Sequence, residues 1–380
     1  MRLGIDASNL RAGGGITHLV ELLKAADPAM QGFSKVIVWS GSATLFRIED
    51  RPWLVKSHQS LLDKNLLCRT FWQRFKLSSL ARREKCDVLF VPGGSYAGDF
   101  TPAVTMSRNM LPFEGREQRR FGFSWMTLKL MLLRRAQADS FRRVDGLIFL
   151  TQYAHDVIMG QIGRIKAKTV IVPHGIDPRF LAAPRQQYPI GRYTPEQPLR
   201  LLYVSIIDVY KHQDAVVEAV GLLRQKGIPV VLELAGPAYA PALKKLQRVL
   251  RRVDPAGAFV RYLGPVSYAG LPACYARADI CLFASSCENM PNILLEAMAS
   301  GVPVACSDRG PMPEILGEGG VYFDPENVAD IARALQTLID APQLRAEKAQ
   351  ASFGRAQVFS WERCARETFG FLKGAAVKTA

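Results

Sequence analysis

The sequence predicts an α/β chain in which two doubly wound parallel-sheet units follow one another. Three observations predict it. Short β-branched runs alternate with helical patterns from end to end, the pattern of parallel strands covered by helices. The series halts at Ala183–Pro198, a stretch rich in Pro, Gln and charge, and then restarts at Leu199. The length, 380 residues with 48% hydrophobic and 22% charged, suffices for two ordinary cores and excludes wholesale disorder.

In chain order, the first unit places strands near Leu3–Asp6, Val36–Trp39, Val88–Val91, Ala103–Met106, Leu147–Leu150 and Thr169–Val172. The second places them near Leu201–Val204, Val230–Leu234, Ala258–Tyr262, Ile280–Ala284 and Val302–Cys306. The predicted boundaries are 1–185 and 186–359. Ser360 reads as the N-cap of a last helix, about 360–380, that is free to pack back on the first unit. In sheets of this kind ligands sit at the carboxyl ends of the strands, so the expected site is the cleft between the units.

Charge is uneven. Residues 1–190 hold 28 Lys and Arg against 15 Asp and Glu, whereas residues 191–380 hold 21 against 19. A basic first half attracts nucleic acid, anionic lipid or a phosphorylated substrate. No recognition motif accompanies the charge, so nucleic acid is not an expected partner. The stretches Phe71–Lys85 and Arg116–Arg143 interleave cations with Trp, Phe, Leu and Met. Such surfaces rest on anionic membranes, or they are packed helices with arginines snorkelling at their edges. Seven scattered cysteines without a C-x-x-C pair predict free thiols rather than disulfides or a zinc site. The start reads as no signal peptide, and no apolar run reaches about 18 residues. A cytoplasmic protein is the expectation, with attachment to the inner face of a membrane as the less favoured of the two readings.

The most informative segment is Ser285–Pro303, SSCENMPNILLEAMASGVP. Pro291 suits the first turn of a helix, and Gly301 with Pro303 ends it. Glu288 then lies in the loop before the helix and Glu296 within it. The first-turn amides near Asn292 and Ile293 form a terminus that favours anions. Read alone, Glu288 fits equally a residue drawn to the helix dipole and Glu296 a solvated helix position. Upstream, Ser205–Lys211 follows a strand and precedes a helix. A lysine there can neutralise the charge of a departing phosphate, and a helix start is a poor place for an uncommitted cation.

Glu288, seven residues, Glu296, then Ala297–Val304 closely resembles the donor-site signature of the family 4 retaining glycosyltransferases, whose GT-B fold has two Rossmann-like units facing a cleft. Ser307–Glu314 and Gly319–Pro325 continue the resemblance, which runs with gaps over most of the chain. The resemblance implies that Glu288 lies beside the transferred sugar and that Glu296 holds the ribose. It implies Lys211 on the diphosphate, and donor contacts from Asn289, Pro291, Asn292 and Ile293. Arg261–Val266 resembles the nucleobase strand, with Tyr262 at its centre, and reads equally as an ordinary strand end.

Two positions depart from the pattern. Ser205 and Ile206 stand where many relatives carry Gly-Arg, so either a second phosphate cation comes from Arg309 or Lys168, or Lys211 acts alone. No His occurs where relatives carry one near Val104–Ser107. The phrase Met106–Glu114 resembles a bacterial surface-polysaccharide branch. There Asn109 is expected to offer a hydrogen bond in place of the imidazole, and Arg108 to bind phosphate.

Gly13-Gly14-Gly15 follows the first strand and precedes a helical pattern from Ile16. Glycines let the backbone approach a phosphate, and the helix terminus favours it. His18 and His174 read as structural or loop-shaping. The implied activity is transfer of a hexosyl group from a nucleotide-diphosphate sugar to a hydroxyl of a glycan or lipid-linked glycan, in bacterial cell-surface polysaccharide or lipopolysaccharide synthesis. With no Asp-x-Asp pattern, neither metal nor other cofactor is expected. A non-catalytic relative, or an epimerase or hydrolase on the same scaffold, is the alternative.

Overall fold

The computed structural model describes residues 1–11 and 13–377. The end of the expected last helix, 378–380, lies outside them. The chain forms two compact units. Unit 1 is Met1–Gly115, Phe123–Gly175 and the chain from Phe359 onward; unit 2 is Arg116–Gly122 with Ile176–Val358.

Unit 1 holds seven strands: β1 (Arg2–Asp6), β2 (Lys35–Ser40), β3 (Leu54–His58), β4 (Val88–Val91), β5 (Ala103–Met106), β6 (Gly146–Phe149) and β7 (Lys168–Ile171). Their order is β3-β2-β1-β4-β5-β6-β7, with every pair parallel. Strands β4 to β6 are buried at every residue. Helices cover both faces of such strands, which explains their unbroken apolar runs. The helix Trp361–Ala376 packs on the helix Gly14–Ala25 and on β4.

Unit 2 holds six: β8 (Leu199–Val204), β9 (Val230–Ala235), β10 (Val260–Gly264), β11 (Ile280–Phe283), β12 (Val304–Ser307) and β13 (Gly320–Phe323). Their order is β10-β9-β8-β11-β12-β13, again all parallel. Each sheet reverses its winding once, between β1 and β4 and between β8 and β11. The carboxyl ends of those strands are the places where doubly wound sheets receive ligands.

Two features of the organisation differ from the sequence expectation. The units part at 175/176 rather than 185/186. Ala182 donates its amide to Ala299 O at 2.9 Å, and Arg185 Nη1 bonds Ala276 O at 2.6 Å. Arg345 reaches Gln187 Oε1 at 3.0 Å. Much of the expected linker is therefore fastened to unit 2. Arg116–Gly122 also clusters with unit 2, although both flanking segments belong to unit 1.

Candidate functional site

In unit 2, β8 and β11 are neighbours, with Ile280 opposite Leu201 and Cys281 opposite Leu202. The loops that leave them, 205–212 and 284–291, therefore emerge side by side. Ser286 N donates to Tyr210 O at 2.9 Å, tying one loop to the other. Tyr203 Oη donates to Lys211 O at 2.7 Å and fixes the backbone of the lysine. Lys211 Nζ meets Glu288 Oε1 in an ion pair whose side chains are only 5% and 15% exposed. The Tyr210 and Phe283 rings lie 5.2 and 5.3 Å from the ammonium, within cation–π range. Burial, and after it the Glu288 charge, pushes the Tyr203 and Tyr210 hydroxyls above their ordinary range, so both stay neutral donors. An ammonium has three N–H donors. Lys211 can therefore hold Glu288 and a phosphate oxygen together.

The helix after Glu288 is Asn292–Ala299, with Pro291 as N-cap and Gly301 past its end. No side chain of the described residues caps its start. Its first amides, on Asn292 and Ile293, have no partner within the helix. Asn289 is buried before it. Glu296, in its second turn, is buried too. Tyr275 Oη donates to Glu296 Oε2 at 3.4 Å and to Ile293 O at 3.2 Å. Burial pushes the Glu296 carboxyl up to about 8, so at pH 7 it is mostly protonated. A solvated helix position is thus excluded for Glu296.

Tyr262 lies in β10, where its hydroxyl donates to Gly236 O at 2.9 Å. Gly236 has φ +145°, and a Cβ there would stand 2.1 Å from Ser205 O. Only glycine lets the turn after β9 approach the turn after β8 so closely. The Tyr262 hydroxyl therefore braces the turn after β9, which packs against the turn after β8.

Beside Lys211 lies a network the sequence did not reveal. His212 caps the helix Gln213–Gln225 with φ +51°, a strained value for a non-glycine. Its Nε2 lies 2.9 Å from Ser286 Oγ, which donates to Glu117 Oε2 at 2.7 Å. Arg120 pairs with Glu117 at 2.7 Å and Glu326 at 2.6 Å, and Arg116 pairs with Glu326. Burial first, then the Arg120 charge, pulls His212 down to about 4, so the imidazole is neutral. The ion pairs join residues 206 and 210 apart in sequence, a separation that no local pattern signals.

The two candidates for a second phosphate cation fare differently. Lys168 opens β7 and so lies at the amino edge of the unit 1 sheet, the wrong edge for a ligand at strand carboxyl ends. Arg309 follows β12 at the carboxyl edge of unit 2, but pairs with Asp308 at 3.3 Å and Asp324 at 2.8 Å.

In unit 1, the helix starts at Gly14, two residues before the expected Ile16, with Gly13 (φ +67°) as its N-cap. Arg108 Nη2 donates to Gly14 O at 2.6 Å and Nη1 to Gly15 O at 3.3 Å. The guanidinium thus holds the carbonyls of the loop on one side. Burial brings Arg108 down to about 10, which leaves it charged. Beneath, His18 Nδ1 and His174 Nδ1 lie 2.8 Å apart, both buried, with the Trp361 ring 5.4 Å from His18. Burial and the Arg108 charge push both imidazoles well below their ordinary value, so they form a neutral pair. Asn109 accepts Leu111 N on its Oδ1 at 3.1 Å, closing a turn into the helical turn Leu111–Phe113.

All seven cysteines are free. Among the described residues no cluster of His, Cys, Asp and Glu could hold a metal, and no helix is long and apolar enough to cross a membrane.

Residues 12–180 match the family described as Glycosyltransferase Family 4, and residues 198–341 match Glycosyl transferases group 1. The chain belongs to the family 4 glycosyltransferases. This glycosyltransferase chain is 38% identical over 116 residues to the O-antigen chain mannosyltransferase B of Escherichia coli, 30% of each chain. It is 31% identical over 232 residues to the D-inositol 3-phosphate glycosyltransferase of Actinosynnema mirum, covering 58% of this chain and 55% of that protein. The chain thus spans about half or less of the length of these relatives. The crystal structure of Anabaena HepE in complex with UDP-glucose shares the GT-B fold, with a TM-score of 0.69 at 17% identity and full coverage of both chains.

Proposed function

We propose that this family 4 chain is a retaining hexosyltransferase, moving a sugar from a nucleotide-diphosphate sugar to a hydroxyl of a glycan or lipid-linked glycan. The observation that carries the reading is the buried Lys211–Glu288 pair at the winding reversal of unit 2. Lys211 neutralises charge on the departing diphosphate, with the Asn292 and Ile293 amides as further donors. Glu288 faces the sugar as its positive charge develops. Glu296 holds the ribose hydroxyls, assisted by Tyr275. Asn289, Pro291 and Tyr262 shape the pocket. In unit 1, the Gly13–Gly15 loop offers backbone N–H groups while Arg108 secures its far side, and Asn109 adds a side-chain amide. A cationic group and peptide dipoles supply the stabilisation that a metal supplies elsewhere, so the reaction needs none. The retaining outcome follows the family.

A relative named as an O-antigen chain mannosyltransferase supports a place in bacterial surface-polysaccharide synthesis. The helix Trp125–Arg143 exposes Trp125, Met131 and Leu132. Beside Arg134 and Arg135 this is the composition of a surface that rests on anionic lipid.

The test is a thermal-shift screen over UDP-, GDP- and dTDP-sugars, since a bound donor raises the melting temperature by mass action. The matching donor is then assayed for nucleotide release with lipid-linked acceptor. No shift with any donor refutes the reading. A shift without turnover on any acceptor extract reassigns the chain to binding alone, and release without acceptor to hydrolysis.

A further inference from the structure

We propose that unit 1 carries a second ligand site, for a phosphate-bearing amphiphile, at the amino edge of its sheet. A cavity of about 520 Å³ there is lined by Arg142, Arg143, Lys166, Lys168, Phe371 and Gly374, among others. Its volume lies within the range of about 300–1,000 Å³ typical of small-molecule sites. Gly146 opens β6 and Lys168 opens β7. The cavity is therefore separated by the length of a four-residue strand, about 13 Å, from the edge that carries the glycine loop and Arg108.

The rim is held in place and remains cationic. Arg142 Nη2 donates to Ile162 O at 3.3 Å, and Arg143 Nη2 to Tyr96 O at 2.9 Å. Carbonyl acceptors orient a guanidinium without cancelling its charge. Opposing them are Asp145, which lines the cavity and accepts Ala103 N at 2.8 Å, and Asp139, 3.5 Å from Arg142. The helices Trp125–Arg143 and Trp361–Ala376 both end here, each bringing about half a negative charge. Among the described residues, four cations line the cavity, near Asp145, Asp139 and two helix ends. Capping of a helix terminus explains Arg142 and Arg143. It does not explain Lys166, which lies on a loop and is exposed.

The floor is apolar and kept open. The Phe371 ring covers Gly146, where a Cβ would lie 2.8 Å from it. Gly374, one turn after Gly370, has no atom within 4 Å of where its Cβ would be. Neither crowding nor a positive φ calls for glycine there, and glycine weakens a helix relative to alanine. The missing side chain leaves room beside Phe371. A charged phosphate at the rim and a short apolar chain over Phe371 together match this lining.

The full chain is titrated by calorimetry with dihexanoyl phosphatidic acid and, separately, with glycerol 3-phosphate. Binding should weaken at least tenfold in Gly374→Leu and in Lys166→Glu/Lys168→Glu. The donor-site variant Lys211→Gln/Glu288→Gln should bind as the unaltered protein does, which separates this site from the transfer site. A Cβ at 374 meets no atom within 4 Å, so an unchanged or higher melting temperature shows that lost binding is not lost folding. Preference for the amphiphile identifies a lipid headgroup, and equal binding a soluble phosphate ester. Absence of binding to both probes at millimolar concentration, or equal affinity in the two cavity variants, overturns the proposal.

Discussion

Where the two sheets reverse their winding, they present different materials. The edge of unit 2 is made of side-chain charge: Lys211 against Glu288, with a protonated Glu296 on the helix that follows. The edge of unit 1 is made of backbone: a glycine-led helix start whose carbonyls Arg108 holds, over a neutral pair of histidines. The difference teaches where substitution should be felt. In unit 2 it removes chemistry, and in unit 1 it loosens a shape.

The largest effect is expected at the ion pair. Lys211→Gln and Glu288→Gln should each cut sugar transfer by about 10²–10³-fold, the scale of losing a group that meets transition-state charge. Each also leaves a buried charge without its partner, at a cost of about 3–5 kcal/mol. The double variant removes both charges, so its melting temperature should recover most of that loss while activity stays absent. If activity returned with stability, the pair would be structural and the comparison would fail.

Glu296 gives the next effect, read through pH. Its carboxyl is raised in the folded protein, to about 8. The stability it contributes is fully present below the ordinary carboxylate range and is lost as pH rises through about 8. Ribose hydroxyls donate to a carboxylate and so favour its ionised form. Donor binding should release a proton near pH 7, seen as buffer-dependent heat, and should tighten between pH 6 and 8. Glu296→Gln should flatten the dependence of melting temperature on pH over that window and weaken donor binding about tenfold, one hydrogen bond to a charged group. Donor affinity that is level from pH 6 to 8 would remove Glu296 from the ribose.

How far the sequence reveals all this follows the same division. Strands β4 to β6, β9, β11 and β12 are buried at every residue, and their apolar runs declare them. The edge strand β3, LVKSH, is half-exposed and has no such run, and β13, GVYF, is only half-buried at its two central residues. Neither was placed from sequence. Glu288 is legible because proline and glycine punctuate the helix that follows it, and Lys211 because it is a cation between a strand and a helix start. The grip of Arg108 on Gly14 O is illegible, because a carbonyl acceptor leaves no trace in residue type. Arg116 and Arg120 were read as part of a basic amphipathic stretch. Their carboxylate partner Glu326 lies 210 and 206 residues further along the chain, beyond any periodicity.

Arg108 tests the backbone side directly. Its two bonds to carbonyls are each worth about 1.5–3 kcal/mol as charge-assisted contacts. Arg108→Gln should raise the donor KM about tenfold with a smaller change in kcat, because the loop is loosened while Lys211 and Glu288 are intact. Arg108→Lys should fall between, since an ammonium lacks the planar fork that spans two acceptors. A fall in kcat of the size expected for Lys211 would make Arg108 a phosphate ligand instead.

The smallest effect is expected at Asn109, where two roles can be separated atom by atom. Its Oδ1 accepts Leu111 N and closes a turn, whereas its side-chain NH₂ is the part that could reach a donor. Asn109→Asp keeps the acceptor and removes the NH₂; Asn109→Ala removes both. A loss of about 0.5–1.5 kcal/mol in the Ala variant alone, the worth of one neutral hydrogen bond, measures the turn. Reduced turnover shared by both variants assigns the NH₂ to the reaction. Should both turn over normally, Asn109 belongs wholly to the scaffold.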